Sequence, residues 1–152
     1  MDIRYLSTYL FTAAAGATSK EMTFGGIFAT IATFAVTSLG GWDVSIRLLA
    51  YLMIADYVTG FLGAWKQKKV NSDVMLWGGV RKGIVILVII LAYQLDQMMG
   101  GQAPIFRTLA IYYYAGREGL SLVENFGVLG VPWPPAIQNA LEQLKQKGEG
   151  TK

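Results

Sequence analysis

The residues of this chain that could do chemistry are carboxylates, arginines and lysines set inside apolar sequence. There is no Cys and no His. That removes disulfides, thiol nucleophiles, Cys/His zinc sites and imidazole general bases together. Asp56 stands near the middle of the apolar stretch 45–65. A charge at mid-membrane costs about 2.5–3.5 kcal/mol, so it needs a partner, water or a proton. Gly60 lies four residues on and Gly63 seven on, which places all three on one helical face, and Ala64 extends the small stripe. A narrow, polar face of this kind suits a pore-lining or oligomer-contact residue. The blander alternative is a structural ion pair with a basic residue on a neighbouring helix, and for Asp56 alone it weighs slightly more.

The segment 105–130 carries a denser set. At about 100° per residue, Arg107, Tyr114, Arg117, Glu118, Ser121, Glu124 and Asn125 fall within an arc of roughly 120°. Ile105, Leu109, Tyr112, Leu122, Val123 and Phe126 occupy the rest. Four ionisable groups facing lipid would cost about 10 kcal/mol, so this stripe packs inside the chain, packs against other copies, or lines water. The expected pairs are Arg117 with Glu124, and Arg107 or Arg117 with Asp56. Near-balanced opposite charges suit a stripe able to exchange buried pairing for a wet wall.

Catalysis has little support. Asp56, Glu118 and Glu124 could pair as intramembrane acids, but no flanking pattern accompanies them. Gly78-Gly79-Val80-Arg81-Lys82 lacks the spacing of a phosphate loop. No catalytic residue, cofactor site or metal site is expected.

The elements that must hold these residues are membrane helices. The chain has 152 residues, of which 53% are apolar and 15% charged, against about 25% charged in soluble domains. The apolar residues come in long blocks, which points to a bilayer. The sequence predicts an all-α polytopic membrane protein with about four spans, near 22–40, 45–65, 83–99 and 105–128. Gly26, Thr30, Thr33 and Thr37 form a small-residue stripe on the first, either a packing face or ordinary membrane-helix composition. A polar loop is expected from Lys66 to Lys82. The third span is short unless its helix begins before Arg81 and Lys82.

Residues 1–21 are read as an amphipathic surface helix with Tyr5, Leu6, Tyr9 and Leu10 on its apolar side, with no signal-peptide cleavage expected. Residues 22–130 form the membrane domain. Pro132, Pro134 and Pro135 end it. Residues 131–152 form a short amphipathic helix, with Ile137, Ala140, Leu141 and Leu144 at helical spacing, and a disordered tail from Gly148. The basic residues of the middle loop and the C-terminal segment, with Arg4 and Lys20, place both termini in the cytoplasm. Thirteen Lys and Arg against ten Asp and Glu is too weak an excess to argue for nucleic acid, but it suits anionic lipid.

Five motifs occur in order: Asp56-Tyr57-Val58-Thr59-Gly60, Lys66-Gln67-Lys68-Lys69 with Asn71-Ser72, Gly79-Val80-Arg81-Lys82, Glu118 to Asn125, and Gly130-Val131-Pro132-Trp133-Pro134. Together they resemble the phage holin family that includes clostridial toxin-secretion holins, over roughly residues 51–145. The resemblance implies a small protein of the bacterial cytoplasmic membrane. It would form homo-oligomers in the lipid bilayer and permeabilise it, so that an endolysin or a toxin leaves the cell. The family supplies no catalytic residue. Asp56, Glu118, Glu124 and Asn125 match its polar motifs, and with Gly60, Arg107, Arg117 and Ser121 they are the candidate pore or oligomer-contact residues. Two other function classes stay open. A small proton-coupled exporter would use Asp56 or Glu118 as proton carrier, although no internal repeat is evident. A passive scaffold would dock partners on the C-terminal helix.

Overall fold

A computed structural model describes residues 19–150 apart from 102. Among the described residues there are five α-helices and no strands, in agreement with the all-α expectation. They are α1 (Ser19–Ser38), α2 (Val44–Lys66), α3 (Ser72–Met98), α4 (Ile105–Leu129) and α5 (Pro135–Glu149). The expected surface helix over 1–21 falls almost wholly outside the described residues. Of the expected tail from Gly148, α5 takes in Gly148 and Glu149, while residues 151–152 lie outside the described residues.

The chain divides into two units, Met1–Thr37 and Ser38–Lys152. In the first, α1 carries an apolar stretch, Gly25–Ser38. Two threonines of its small-residue stripe turn inward on their own helix. Thr30 donates to the carbonyl of Gly26 and Thr37 to that of Thr33, each at 2.8 Å.

The second unit is a layered bundle whose helix ends are written in the sequence. Asp43 caps α2, its carboxylate accepting the Ile46 N–H at 2.9 Å. Asn71 caps α3 by accepting the Asp73 N–H at 2.9 Å. Gly130 ends α4 in the left-handed conformation at φ 81°, which a side chain would resist. The core joins Leu39, Ile46, Leu49 and Met53 to Val85 and Ile89 of α3 and Ile111 and Ala115 of α4. α4 is the middle layer. It packs on α2 and α3, while α5 leans on α4 and scarcely on anything else. α4 runs the length of α2 in the same direction: Arg107 meets Asp43 at one end, and the Lys66 ammonium donates to the carbonyls of Val128 and Leu129, each at 2.9 Å, at the other.

The expectation of four spans is corrected to two. Only α2 and α3, among the described residues, are long and apolar enough to cross a membrane. The apolar part of α1 falls short of the roughly 20 residues a crossing needs. α4 is long enough but carries Arg107, Arg117, Glu118 and Glu124. The third predicted span also begins earlier than residue 83. α3 starts at Ser72, so the loop expected from Lys66 to Lys82 shrinks to 67–71 and Arg81 and Lys82 lie within the helix.

α2 and α3 are not the core helices of a soluble protein, which would be buried. Tyr51, Ile54, Phe61 and Trp65 on α2, and Leu76, Trp77, Leu87 and Leu91 on α3, all stand exposed. An apolar surface of that extent marks a membrane or protein contact.

Candidate functional site

The site is built where α2, α3 and α4 meet at mid-length. Lys82 extends from α3 between two carboxylates. Its ammonium reaches Asp56 Oδ2 of α2 at 2.8 Å and also bonds Glu118 Oε2 of α4. The three side chains keep only 16%, 16% and 12% of their surface exposed. Charge-assisted bonds of this kind are the stronger class, and the low local dielectric raises their weight further.

Asn125 completes the cluster from α4. Its amide donates to Asp56 Oδ1 at 2.9 Å, to the Asp56 carbonyl at 3.1 Å and to Thr59 Oγ1 at 3.2 Å. Both carboxylate oxygens of Asp56 are thereby engaged, one by a cation and one by an amide. Gly60 sits under Asn125, where a Cβ would be 3.6 Å from its amide nitrogen. That is ordinary contact, so the space tolerates Gly60 without requiring it.

Beside the cluster lies a cleft of about 490 Å³. Arg117 and Ser121 of α4 line it, as do Arg81 of α3 and Lys69 of the loop.

Arg107 belongs elsewhere. It is 4% exposed and ties together the opposite end of the bundle. Its guanidinium donates to the Leu39 carbonyl at 2.6 Å, to Asp43 Oδ2 at 2.7 Å and to the Gly41 carbonyl at 3.3 Å. Asp96, 3% exposed, accepts the backbone N–H groups of Phe106 and Arg107 at 2.9 and 2.8 Å, and so caps the start of α4 from α3. Gly40, at φ 77°, lets the chain pass close to Tyr93 and Arg107, and a Cβ there would strike the Tyr93 ring at 2.6 Å. Burial of Asp43 pulls its pKa upward, but hydrogen bonds from Arg107 and from the Ile46 N–H, with the arginine charge, outweigh it. The net effect holds the carboxyl below the ordinary carboxylate value.

The structure thus brings Asp56, Gly60, Glu118 and Asn125 together, with Ser121 and Arg117 on the adjoining cleft. The expected pairs of Arg107 or Arg117 with Asp56 are corrected: Lys82 takes Asp56, and Arg107 takes Asp43. The expected Arg117–Glu124 pair does not form among the described residues, where both side chains are exposed.

Sequence reasoning missed Lys82 as a site residue, and it missed the anchoring roles of Asp43 and Asp96. The signal for Lys82 was the capping sequence Asn71-Ser72-Asp73, which starts α3 early enough to carry Lys82 inward.

The comparisons with known proteins bear on most of the second unit. The bacteriophage holin family matches over residues 33–146. An uncharacterized protein of Clostridium perfringens strain 13 is 39% identical over 108 residues, 71% of this chain and 80% of that protein. A Bacillus subtilis protein, also uncharacterized, is 34% identical over 107 residues, 70% of this chain and 76% of that one. A protein of Bacillus phage phi105 named a probable holin is 33% identical over 104 residues, 68% of this chain and 76% of the phage protein. No solved structure matches. The match takes in α2, α3 and α4, most of α5, the Lys82 cluster and the Arg107 anchor, and on that extent the chain belongs to the bacteriophage holin family.

Proposed function

We propose that this chain acts as a holin in a bacterial cytoplasmic membrane. Copies accumulate, associate, and open a water-filled lesion through which an endolysin, or a toxin, reaches the cell wall. Family membership and the phage relative support the holin role itself.

The observation that carries the lesion is the layering of the second unit. One side exposes the apolar surfaces of α2 and α3. α4 runs alongside them, and α5 covers α4 with Glu142, Lys145, Lys147 and Glu149 on a helix only 15 residues long. Where α2 and α3 lie in hydrocarbon, α4 passes through the same depth and α5 starts back along it. Four charges of α5 facing lipid would cost about 10 kcal/mol. Copies that turn α2 and α3 to lipid and α5 to one another, around water, remove that cost. The exposed side chain of Glu124 then has copies or water to meet. Asp56 and Glu118 serve as structural members of the cluster that locks α2, α3 and α4 into one unit.

The basic loop at 67–71, flanked by Lys66 and carrying Lys68 and Lys69, faces the cytoplasm on the charge-asymmetry rule. The end of α4 lies beside Lys66, so residues 130–134 are cytoplasmic too.

A proton-coupled exporter fits less well, because Lys82 already occupies both carboxylates that would carry the proton. Inducible expression in a bacterium tests the proposal. The expected result is prompt loss of membrane potential, with lysis only when an endolysin is co-expressed. Cells that keep growing with the protein abundant in their membranes would overturn it.

A further inference from the structure

The cleft beside the Lys82 cluster holds more positive charge than the fold uses. Four cations line it, Lys69, Arg81, Lys82 and Arg117, against two carboxylates, Asp56 and Glu118. Lys82 is committed to both acids. Lys69, Arg81 and Arg117 make no ion pair among the described residues. Lys82 with its two acids leaves one net negative charge, so the guanidiniums of Arg81 and Arg117, from different helices, bring the cavity of about 490 Å³ to an excess of one positive charge, and Lys69 raises it to two.

The same cavity has an apolar flank. Phe61 of α2 and Ile84 of α3 line it and are exposed outward. A bare phosphate would satisfy the guanidiniums and leave that flank uncovered. A phosphodiester carrying acyl chains would satisfy both. Depth fits as well. Arg81 lies about 14 Å below the start of α3 at 1.5 Å per residue. Long basic side chains snorkel back toward the headgroup layer, and Lys69 waits at the rim.

We propose that this cleft binds the headgroup phosphate of an anionic phospholipid, with Arg81 and Arg117 as the paired donors and Lys69 as the outer contact. Planar guanidinium forks suit phosphate oxygens. The occupant supplies the negative charge that the bundle lacks at this depth. It also covers the seam where α2 and α3 touch only sparingly. The site does not depend on lesion formation, because binding is read on protein that has not been asked to permeabilise anything.

Calorimetric titration of the full chain in neutral detergent tests it, with dioctanoyl phosphatidylglycerol, dioctanoyl phosphatidylcholine and inorganic phosphate as probes. Phosphatidylglycerol is expected to bind saturably and about tenfold or more tightly than phosphatidylcholine. Arg81→Gln with Arg117→Gln is expected to weaken it roughly a hundredfold, about tenfold for each guanidinium–phosphate interaction removed. Arg47→Gln, which removes the same charge from the first turn of α2, is expected to change nothing. Equal affinity for the two lipids, or an equal loss in Arg47→Gln, would overturn the proposal. Displacement of phosphatidylglycerol by inorganic phosphate at matching concentration would assign the cleft to free phosphate and overturn the lipid assignment. Should the double variant lose its helical signal, Arg117→Gln alone is measured, and an unchanged affinity there also refutes the site.

Discussion

Replacing Lys82 by Met should destabilise the bundle more than removal of either acid it holds. Lys82→Met keeps the length of the stem and removes the charge, leaving Asp56 and Glu118 facing one vacated position. At 2.8 Å the attraction between Lys82 and Asp56 is about 6 kcal/mol for an effective dielectric of 20. Most of that offsets the desolvation of the partners. The measured consequence of deleting one member of a buried pair is about 3–5 kcal/mol. The residual exposure of 12–16% in the three side chains argues for the lower end, about 3 kcal/mol. Asn125 still bonds Asp56 Oδ1, so Asp56 is the less orphaned of the two acids.

The assay is denaturant unfolding of the purified chain in micelles, followed by helical circular dichroism. The diagnostic step is rescue. Lys82→Met combined with Asp56→Asn and Glu118→Gln removes all three charges at similar volume and should recover all but about 1 kcal/mol, since a neutral isostere of a buried ion network is often no less stable. Two results would refute the reasoning. One is a Lys82→Met protein as stable as its parent. The other is a triple variant no better than Lys82→Met, because the loss would then come from packing of the lysine stem rather than from stranded carboxylates.

Gly116→Val should lift α5 from α4, because a Cβ at Gly116 would lie 2.5 Å from the Lys145 backbone nitrogen and 2.7 Å from the Leu141 carbonyl oxygen, and backbone cannot yield as a side chain tip can. We expect loss of amide protection in α5, at the roughly 1–3 kcal/mol typical of overpacking, with α2 and α3 unchanged. Hydrogen exchange reads it, Gly127→Ala (where a Cβ meets nothing within 4 Å) is the control, and undiminished protection of α5 contradicts the docking. Asp43 gives a pH signature. Its carboxyl is held low, so its contribution is fully present above the ordinary carboxylate value of about 4 and fades as the pH falls through the lowered value of the folded state. The difference in unfolding midpoint between the parent and Asp43→Asn should hold steady from pH 7 to about 4 and narrow only below that; closure between pH 7 and 5 would count against the Arg107 pairing.

How much of this was legible in the sequence differs by element, for physical reasons. α2 was readable because its apolar length and the Asp43 cap both lie in local sequence. The stop at Gly130 and the prolines after it was readable for the same reason. The start of α3 was not. Arg81 and Lys82 have the composition of a loop flank, and that signal overrode the cap at Asn71. Lys82 thereby passed for a loop residue, although it is the charge within α3 that joins the acids.

The helical wheel made the opposite error with Arg107. Projection onto a circle keeps angle and discards height, so Arg107 and Glu118 fell on one stripe. Eleven residues at 1.5 Å each separate them by about 16 Å along the axis. Arg107 therefore answers to Asp43 and Leu39 at the end of the bundle, and Glu118 to Lys82 at its middle.

The count of spans failed for a related reason. A count by length and apolar blocks took α1 and α4 as spans, whereas the apolar part of α1 is too short and α4 carries four charges, with α2 and α3 on one side of it and α5 on the other. Of its charges, Arg107 is buried against a loop, Glu118 is held by Lys82, and only Arg117 and Glu124 are left exposed. α4 need not be apolar because its neighbours stand where lipid would be. What composition cannot supply is the identity of those neighbours. Leu141 of α5 settles one of them, since a Cβ at Gly119 would meet its Cδ2 at 2.5 Å. The glycines at 116 and 119 are thus the imprint of α5 on α4. They also make the C-terminal helix part of the bundle wall rather than an appendage.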